Sequence, residues 1–324
     1  MKAIVIEDGS LRLDAHVPIP SPQPSEILVR IHATAVNFVD LMRKPSHFGG
    51  TSGQAAIAGL EFCGIVEATG SAASAFRTGD RVMAMGAGSY AEYACVDQML
   101  AAPLPDHMDW TQSAGLMVSF MTAYDALRTQ GRMKKGDAVL VLGCTSSAGL
   151  ASVQLARWLG AAAVIGTSTS QDKLDQMPAF GLTHAVRMPD QSLADAVRSA
   201  TGEHGVDVII DMVGASLATD SLLAAALGAR WISVGRLGGS KAEIDLNELA
   251  RKRVSLIGVT FRTRSIAERQ RIVEEFRTNV LPGLSDGRLI SKVDRVFDLA
   301  AADEAQSYVR SRKHFGKVVL SVIS

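Results

Sequence analysis

The chain has 324 residues, more than one hydrophobic core usually serves, which points to two domains. Apolar residues make up 47% and charged residues 20%, the balance of a globular protein with no extended disorder. The 33 basic and 33 acidic side chains cancel. That excludes the electrostatic footprint of a nucleic-acid or anionic-membrane binder and leaves small molecules as the expected partners.

MKAIVIEDGS opens with a short apolar stretch closed by acid and glycine, too brief for a secretory core, and reads as a strand. No window approaches the roughly 18 apolar residues of a membrane span, so a soluble protein is expected. Up to about residue 120 the runs are short and separated by turn formers such as PIPSPQPSE, ATGSAAS and GAGS. ILVRIHATAV, EFCGIVEATG, DRVMAMG and YAEYACV are the strand candidates, and SPQPS is a surface loop between them. Cys63, Cys95 and Cys144 are odd in number and set in apolar surroundings. Buried reduced thiols and a cytoplasmic location follow, rather than a disulfide framework.

After about residue 123 the rhythm changes. AVLVLG, AAVIGTS, THAVRM, VDVIIDMVG, ARWISVG and SLIGVT alternate with helically spaced segments such as ASVQLARWLG and SLADAVRSA. Such alternation predicts a parallel sheet covered on both faces, and six strands match a doubly wound dinucleotide fold. Beyond Arg262 come a long charged helix candidate, AERQRIVEEFRTNVLPGL, then VDRVFDL, a further helix and the strand FGKVVLSV. So short a tail rejoins the first domain rather than forming a third. The expected division is 1–122, 123–262 and 263–324, an α/β chain with a β-rich first domain.

The stretch VLVLGCTSSAGLASVQLA (139–156) is the candidate phosphate-binding turn. A buried strand stops at Gly143, small residues Thr145, Ser146, Ser147 and Ala148 follow, and Gly149 lies in the helix start. Backbone N–H groups and the helix dipole there favour an anion. The spacing departs from G-x-G-x-x-G, so a tight corner in an apolar core is the competing reading. At the end of the second strand, VIGTSTSQDK offers hydroxyls and Lys173 where an acidic ribose ligand would stand for a cofactor with a free 2′-hydroxyl. Ser168 and Lys173, with Arg187 as a second charge, therefore favour NADPH over NADH. Asp172 argues the other way unless it caps the helix, and Lys173 and Arg187 could equally be solvated surface.

GLEFCGIVEATG at 59–70, GDRV at 79–82, the small-residue turn and the final FGKVVL resemble the medium-chain dehydrogenase/reductase superfamily over essentially the whole chain. NFVD at 37–40 is most similar to its zinc-free quinone oxidoreductase branch. The resemblance implies a GroES-like catalytic domain, an inserted Rossmann domain and a C-terminal return to the first. Zinc-dependent members place a Cys where Asn37 stands, a His within a GHE motif where this chain has Gly59, Leu60 and Glu61, and a Cys near Val118. They also carry a four-cysteine lobe after the GDRV turn, where GAGSYAEY runs straight on. No metal site is therefore expected. The implied reaction is hydride transfer from NADPH to a quinone or enone, whose oxygen needs only hydrogen-bond donors and a proton.

By position, the resemblance places Asn37 at the nicotinamide and ribose end of the cofactor and Thr122 near the carboxamide. It puts Thr145 to Gly149 on the pyrophosphate and Ser168 and Lys173 on the adenosine phosphate. Val234, Gly235 and Arg236 pass over the cofactor, and Phe261 and Arg262 follow the last Rossmann strand. Asn37 could also be a helix N-cap, and Arg236 a phosphate, substrate or structural partner. Relatives carry tyrosines where this chain has Met42 and Phe48, so the proton comes from His47, from Tyr90 or Tyr124, or from water. Alternatives are an enoyl thioester reductase, disfavoured by Phe48, and an NADPH-binding sensor or structural protein. SLIGVTF suits the sheet edge through which relatives form homodimers.

Overall fold

The structure is a computed structural model that describes residues 1–44 and 56–323. Two compact units divide the chain: Met1–Val118 with Arg264–Ser324, and Ser119–Thr263. The sequence reading put the same divisions at 122/123 and 262/263.

The first unit begins with β1 (Ala3–Glu7), β2 (Ser10–Asp14), β3 (Glu26–Val36), β4 (Ala56–Ile57), β5 (Glu61–Thr69), β6 (Arg81–Met85), β7 (Tyr93–Asp97) and β8 (Ala101–Pro103). The second contributes β9 (Ala138–Leu142), β10 (Ala163–Ser168), β11 (His184–Arg187), β12 (Val206–Asp211), β13 (Ala225–Ser233) and β14 (Ser255–Gly258). Returning to the first unit, the chain adds β15 (Val293–Asp298) and β16 (Lys317–Ser321).

In the first unit β3 is the hub. It pairs with β5 along one edge and, along the other, with β7 at its beginning and β16 at its end, all antiparallel. The register brings Val36 opposite Val318 and Thr34 opposite Phe62. The end of β3 and the starts of β5 and β16 therefore meet at one corner of the sheet. The FVDLMR segment after β3, a helix candidate in the sequence, is a 3-10 turn over Phe38–Met42. Ile4, Ile6, Val36, Leu41, Tyr90, Val318 and Leu320 are among the core residues beneath it.

The second unit is a six-stranded parallel sheet in the order β11-β10-β9-β12-β13-β14. Numbered within the unit this is 3-2-1-4-5-6, the doubly wound order. Every residue of β9 is buried, as a central strand covered on both faces requires. In such sheets ligands gather outside the carboxyl ends of the strands, where the strand order reverses beside β9.

Two expectations are corrected. The segment AERQRIVEEFRTNVLPGL forms two helices, Ile266–Asn279 and Leu281–Ser285. Pro282, which lacks the N–H needed to continue the first helix, starts the second. The strand foreseen in ARWISVG begins four residues earlier than Ala229, at Ala225, directly after the helix Ala218–Ala224.

Candidate active site

At the corner of the first unit stand Asn37, Glu61 and Lys317. Glu61 is 0% exposed and Lys317 3%, and their carboxylate and ammonium lie 2.6 Å apart. Asn37, half-buried, bridges them. Its Nδ2 donates to Glu61 Oε1 at 2.9 Å, and its Oδ1 accepts from Lys317 Nζ at 2.8 Å. The other Glu61 oxygen accepts the Val118 N–H at 2.9 Å, in the first turn of the helix Leu116–Tyr124. An N-terminal helix amide lacks an intrahelical acceptor, so this bond adds to the solvation of the carboxylate. Burying the pair is costly in isolation and requires this satisfaction of both partners.

Asp40, beneath the same turn, is wholly buried. Its Oδ2 accepts the Asn37 backbone N–H at 2.8 Å and the Tyr90 hydroxyl at 2.9 Å, whereas Oδ1 has no partner among the described residues. Burial pushes the Asp40 carboxyl up to about 7, against the opposing pull of the two hydrogen bonds and of Lys317. Burial likewise raises the Tyr90 hydroxyl well above its ordinary value. Tyr90 is 0% exposed, which removes it from the proton donors considered above. On the far side, Gln306 donates to the Asp40 carbonyl, and Arg43 joins Gln306 and Asp303 of the helix Ala302–Arg310. The C-terminal return thus fixes the turn that carries Asn37.

In the second unit β9 ends in the small-residue turn. Gly143 has φ +72°, in the left-handed region where side chains are strained. A Cβ on Gly149 would collide with the Gly143 carbonyl oxygen, so the helix Ser147–Trp158 starts as close to the strand as a backbone allows. Ser146 is its N-cap: its hydroxyl accepts the Gly149 N–H at 3.2 Å and donates to the Gly143 carbonyl at 2.8 Å. The Ser146 side chain therefore shapes the turn, leaving the first-turn amides of Ser147 and Ala148 directed out of the helix end. Cys144 packs inward against Gly166, and burial pushes its thiol up to about 12. The turn is fastened to β10 by Gly143 N–H to Thr167 Oγ1 at 3.1 Å and by the Thr145 and Ser168 hydroxyls 3.2 Å apart.

Residues 148–278 match the family model for zinc-binding dehydrogenases, and residues 23–106 match the alcohol dehydrogenase GroES-like domain. The chain is 30% identical to the quinone oxidoreductase of Rattus norvegicus across 99% of this chain and 97% of the relative. It belongs to the medium-chain dehydrogenase/reductase superfamily, in the quinone oxidoreductase branch. Among solved structures, a mycobacterial protein complexed with NADPH is 28% identical with a TM-score of 0.88, over 99% of this chain and 100% of that one. An NAD-dependent alcohol dehydrogenase is 27% identical, also at TM-score 0.88, over 100% of both chains. The chain is thus a nicotinamide-dependent oxidoreductase by family. Neighbours naming different cofactors leave the choice between NADPH and NADH to its own residues.

Those residues are brought together in part. Ser168 and Arg187 are register partners across β10 and β11, so hydroxyl and guanidinium extend from adjacent strand ends. Lys173 lies half-buried in the short helix Gln171–Leu174 just beyond β10. Asp172, exposed in the same helix, is not its N-cap, which is Ser170. Arg187 meets Asp190 at 3.3 Å, with both side chains about half exposed. Such a pair contributes about 0–1 kcal/mol and does not hold Arg187 against a phosphate dianion.

Val234 and Gly235 both donate N–H groups to the Asp211 carbonyl at 2.9 Å. The buried Asp211 carboxylate accepts from Val213, Gly214 and the Trp231 indole, locking two loops at the carboxyl end of the sheet. Arg236 is exposed and, among the described residues, reaches the Val234 carbonyl at 3.5 Å. Phe261 is half-buried and Arg262 exposed beyond β14, and Thr122 is half-buried in the helix Leu116–Tyr124. His47 and Phe48 lie outside the described residues.

At the positions where zinc-dependent members of the superfamily supply ligands, this branch member has Asn37, Leu60 and Val118. Among the described residues no group of three His, Cys, Asp or Glu side chains is gathered as metal ligands. No described helix is long and apolar enough to cross a membrane. Sequence reasoning missed Glu61 and Lys317 as partners of Asn37, and also Asp40 and Asp211. No local signal marks them, since Glu61 and Lys317 each stand at the first position of a strand, where a charge is ordinarily solvated.

Proposed function

We propose that this protein is a zinc-independent, NADPH-dependent reductase that delivers hydride to a quinone or an activated alkene. The observation that carries the cofactor choice is the cation and hydroxyl set at the ends of β10 and β11. Ser168, Lys173 and Arg187 suit a 2′-phosphate, and they outnumber the exposed carboxylate of Asp172, which does not cap the helix and is the group that would suit a ribose 2′-hydroxyl. The turn itself fits a dinucleotide, since Gly149 has no room for a Cβ and the Ser147 and Ala148 amides stand at the start of a twelve-residue helix.

When bound, NADPH supplies a hydride for a conjugated carbon of the acceptor, whose oxygen then holds the electron pair until it is protonated. Thr145 to Gly149 hold the pyrophosphate, and Val234, Gly235 and Arg236 form the covering loop. Thr122, Phe261 and Arg262 complete the cofactor contacts. Asn37 is the hydrogen-bonding side chain assigned to the chemistry. The ammonium of Lys317, 2.8 Å from the Asn37 amide, disfavours a divalent cation beside it, which supports zinc independence. The proton comes from solvent, from Tyr124 or from His47. A His47→Ala variant tests the last of these, since loss of turnover with unchanged cofactor affinity identifies the histidine.

A homodimer is assigned through β14, an edge strand of the second sheet with an exposed Leu256. Light scattering that gives a monomer mass across micromolar concentrations would overturn it.

The deciding experiment follows oxidation of NADPH and NADH against benzoquinones, naphthoquinones, simple enones and an enoyl thioester. Turnover of quinones or enones with NADPH preferred is the expected result. Tight NADPH binding without turnover across the panel would replace the enzyme by a dinucleotide sensor.

A further inference from the structure

Asn37 is the only member of its trio that is not fully buried, so the Glu61–Lys317 pair meets the surface of its unit through one primary amide. An amide can be flipped end for end at little steric cost. Here the flip is forbidden by charge. Turning Asn37 over would set its NH2 against the Lys317 ammonium and its carbonyl against the Glu61 carboxylate, exchanging two charge-assisted hydrogen bonds for two repulsions.

The backbone is held as firmly, because Asp40 takes the Asn37 N–H at 2.8 Å. Two of the four amide valences are thus committed. Of the rest, the second Nδ2 proton makes only a 3.5 Å approach to the Ala35 carbonyl, at the limit of a hydrogen bond. This proton is available for a better acceptor. Lys317 also polarises it, because a cation hydrogen-bonded to an amide oxygen draws electron density from the nitrogen and strengthens the N–H groups as donors.

We infer that Lys317, through its ion pair with Glu61, is a positioning residue that fixes and polarises the Asn37 amide as a hydrogen-bond donor to the acceptor oxygen that gains charge during reduction. The inference rests on the proposed reductase reading for its chemistry, but the locked amide is a property of the protein alone. Lys317 touches neither acceptor nor cofactor in this role and acts only through Asn37.

The chain has three asparagines, Asn37, Asn247 and Asn279, so selective 15N-asparagine labelling resolves each side-chain amide. In the protein without cofactor, the Nδ2 proton bonded to Glu61, within the NH2 pair assigned by its loss in Asn37→Ala, should exchange with water at least tenfold more slowly than the side-chain amide of the exposed Asn247. In the charge-neutral double variant Glu61→Gln/Lys317→Met that protection should disappear. Should the double variant not fold, Lys317→Gln alone is read in the same way.

In the kinetic arm, Asn37→Ala and the double variant should each lower kcat at least tenfold while the Kd for NADPH stays within threefold. The triple variant should be no slower than Asn37→Ala alone. Retained protection in the double variant, a kcat within twofold of the parent, or losses that multiply in the triple variant would overturn the inference. Loss of protection together with a parent protein that reduces no acceptor would instead overturn the reductase reading and leave the locked amide standing.

Discussion

The two units stabilise charge by opposite means. The first buries an ion pair, Glu61 and Lys317, bridged by the Asn37 side-chain amide, while the buried Asp40 carboxyl holds the Asn37 backbone N–H. The second arranges its turn without a buried ion, from backbone N–H groups, hydroxyls and two positions where only glycine fits. A preorganised donor at a reacting centre needs low dielectric and rigid partners, which burial provides. A cofactor that must arrive and leave needs complementary groups already in contact with water, which a helix start and strand-end hydroxyls provide. The contrast predicts that the first unit is sensitive to loss of charge and the second to gain of bulk.

The largest effect should come from breaking the ion pair on one side. Lys317→Met leaves Glu61 buried and uncompensated, and the expected loss is about 3–5 kcal/mol in urea unfolding. Glu61→Gln/Lys317→Met should recover most of it. If the single variant is as stable as the parent, the two units do not differ as described.

A smaller effect follows from Asp40. Its folded carboxyl is raised from 3.8 to about 7, so the native state binds this proton more tightly than the unfolded chain does. The contribution is favourable below about pH 4, falls as the pH climbs toward 7 and is flat above that. Between pH 5 and pH 8 it should cost on the order of a few kcal/mol, a slope that Asp40→Asn removes. The comparison is the change in unfolding free energy between the two pH values, parent against variant. Equal slopes would mean that Asp40 is already ionised at pH 5. Glu61 and Lys317 remain in both proteins, so their titration cancels.

This division also explains what could be read in the sequence. The doubly wound unit was legible because its signals are local: buried strands such as AVLVL alternate with helices, and the small-residue turn spans seven residues from Gly143 to Gly149. Ser168 and Lys173 were noticed for the same reason, since they stand at and just beyond the end of one strand. The buried network was not, because Asn37, Glu61 and Lys317 are brought together only by strand register, with Asn37 and Lys317 280 positions apart in the chain. A charge at the start of a strand ordinarily marks a solvated end, and nothing local distinguishes Glu61 and Lys317 from that. Asn37 itself was noticed as a helix cap or a catalytic residue, and the structure gives it the N-cap position while committing its side chain elsewhere. The helix candidate crossing Val280 failed on local grounds that were visible, since Pro282 stood in the sequence.

Gain of bulk in the second unit is tested by Gly149→Ala. Its Cβ would meet backbone, which cannot swing aside as a side chain would, so the helix must shift away from the β9 end. The expected cost is about 1–3 kcal/mol of stability. Affinity for NADPH and NADH should fall together by about tenfold, near 1.4 kcal/mol, because both cofactors share the pyrophosphate. Isothermal titration with the two cofactors measures this, and a loss confined to one would show that the turn does not hold the common group.

Lys173→Ala sharpens the same contrast at the smallest scale. The side chain is only half-buried, so stability should change by about 1 kcal/mol or less. What it loses is specific: a charge-assisted contact worth about 1.5–3 kcal/mol to a 2′-phosphate, and nothing to a 2′-hydroxyl. NADPH affinity should therefore drop by roughly tenfold or more with NADH affinity unchanged. If both fall equally, Lys173 supports the fold of the β10 end rather than the phosphate, and the preference for NADPH must come from Ser168 and Arg187. Repeating the titration with Arg187→Ala then decides between them, because the exposed pair with Asp190 is too weak to account for a change in one cofactor alone.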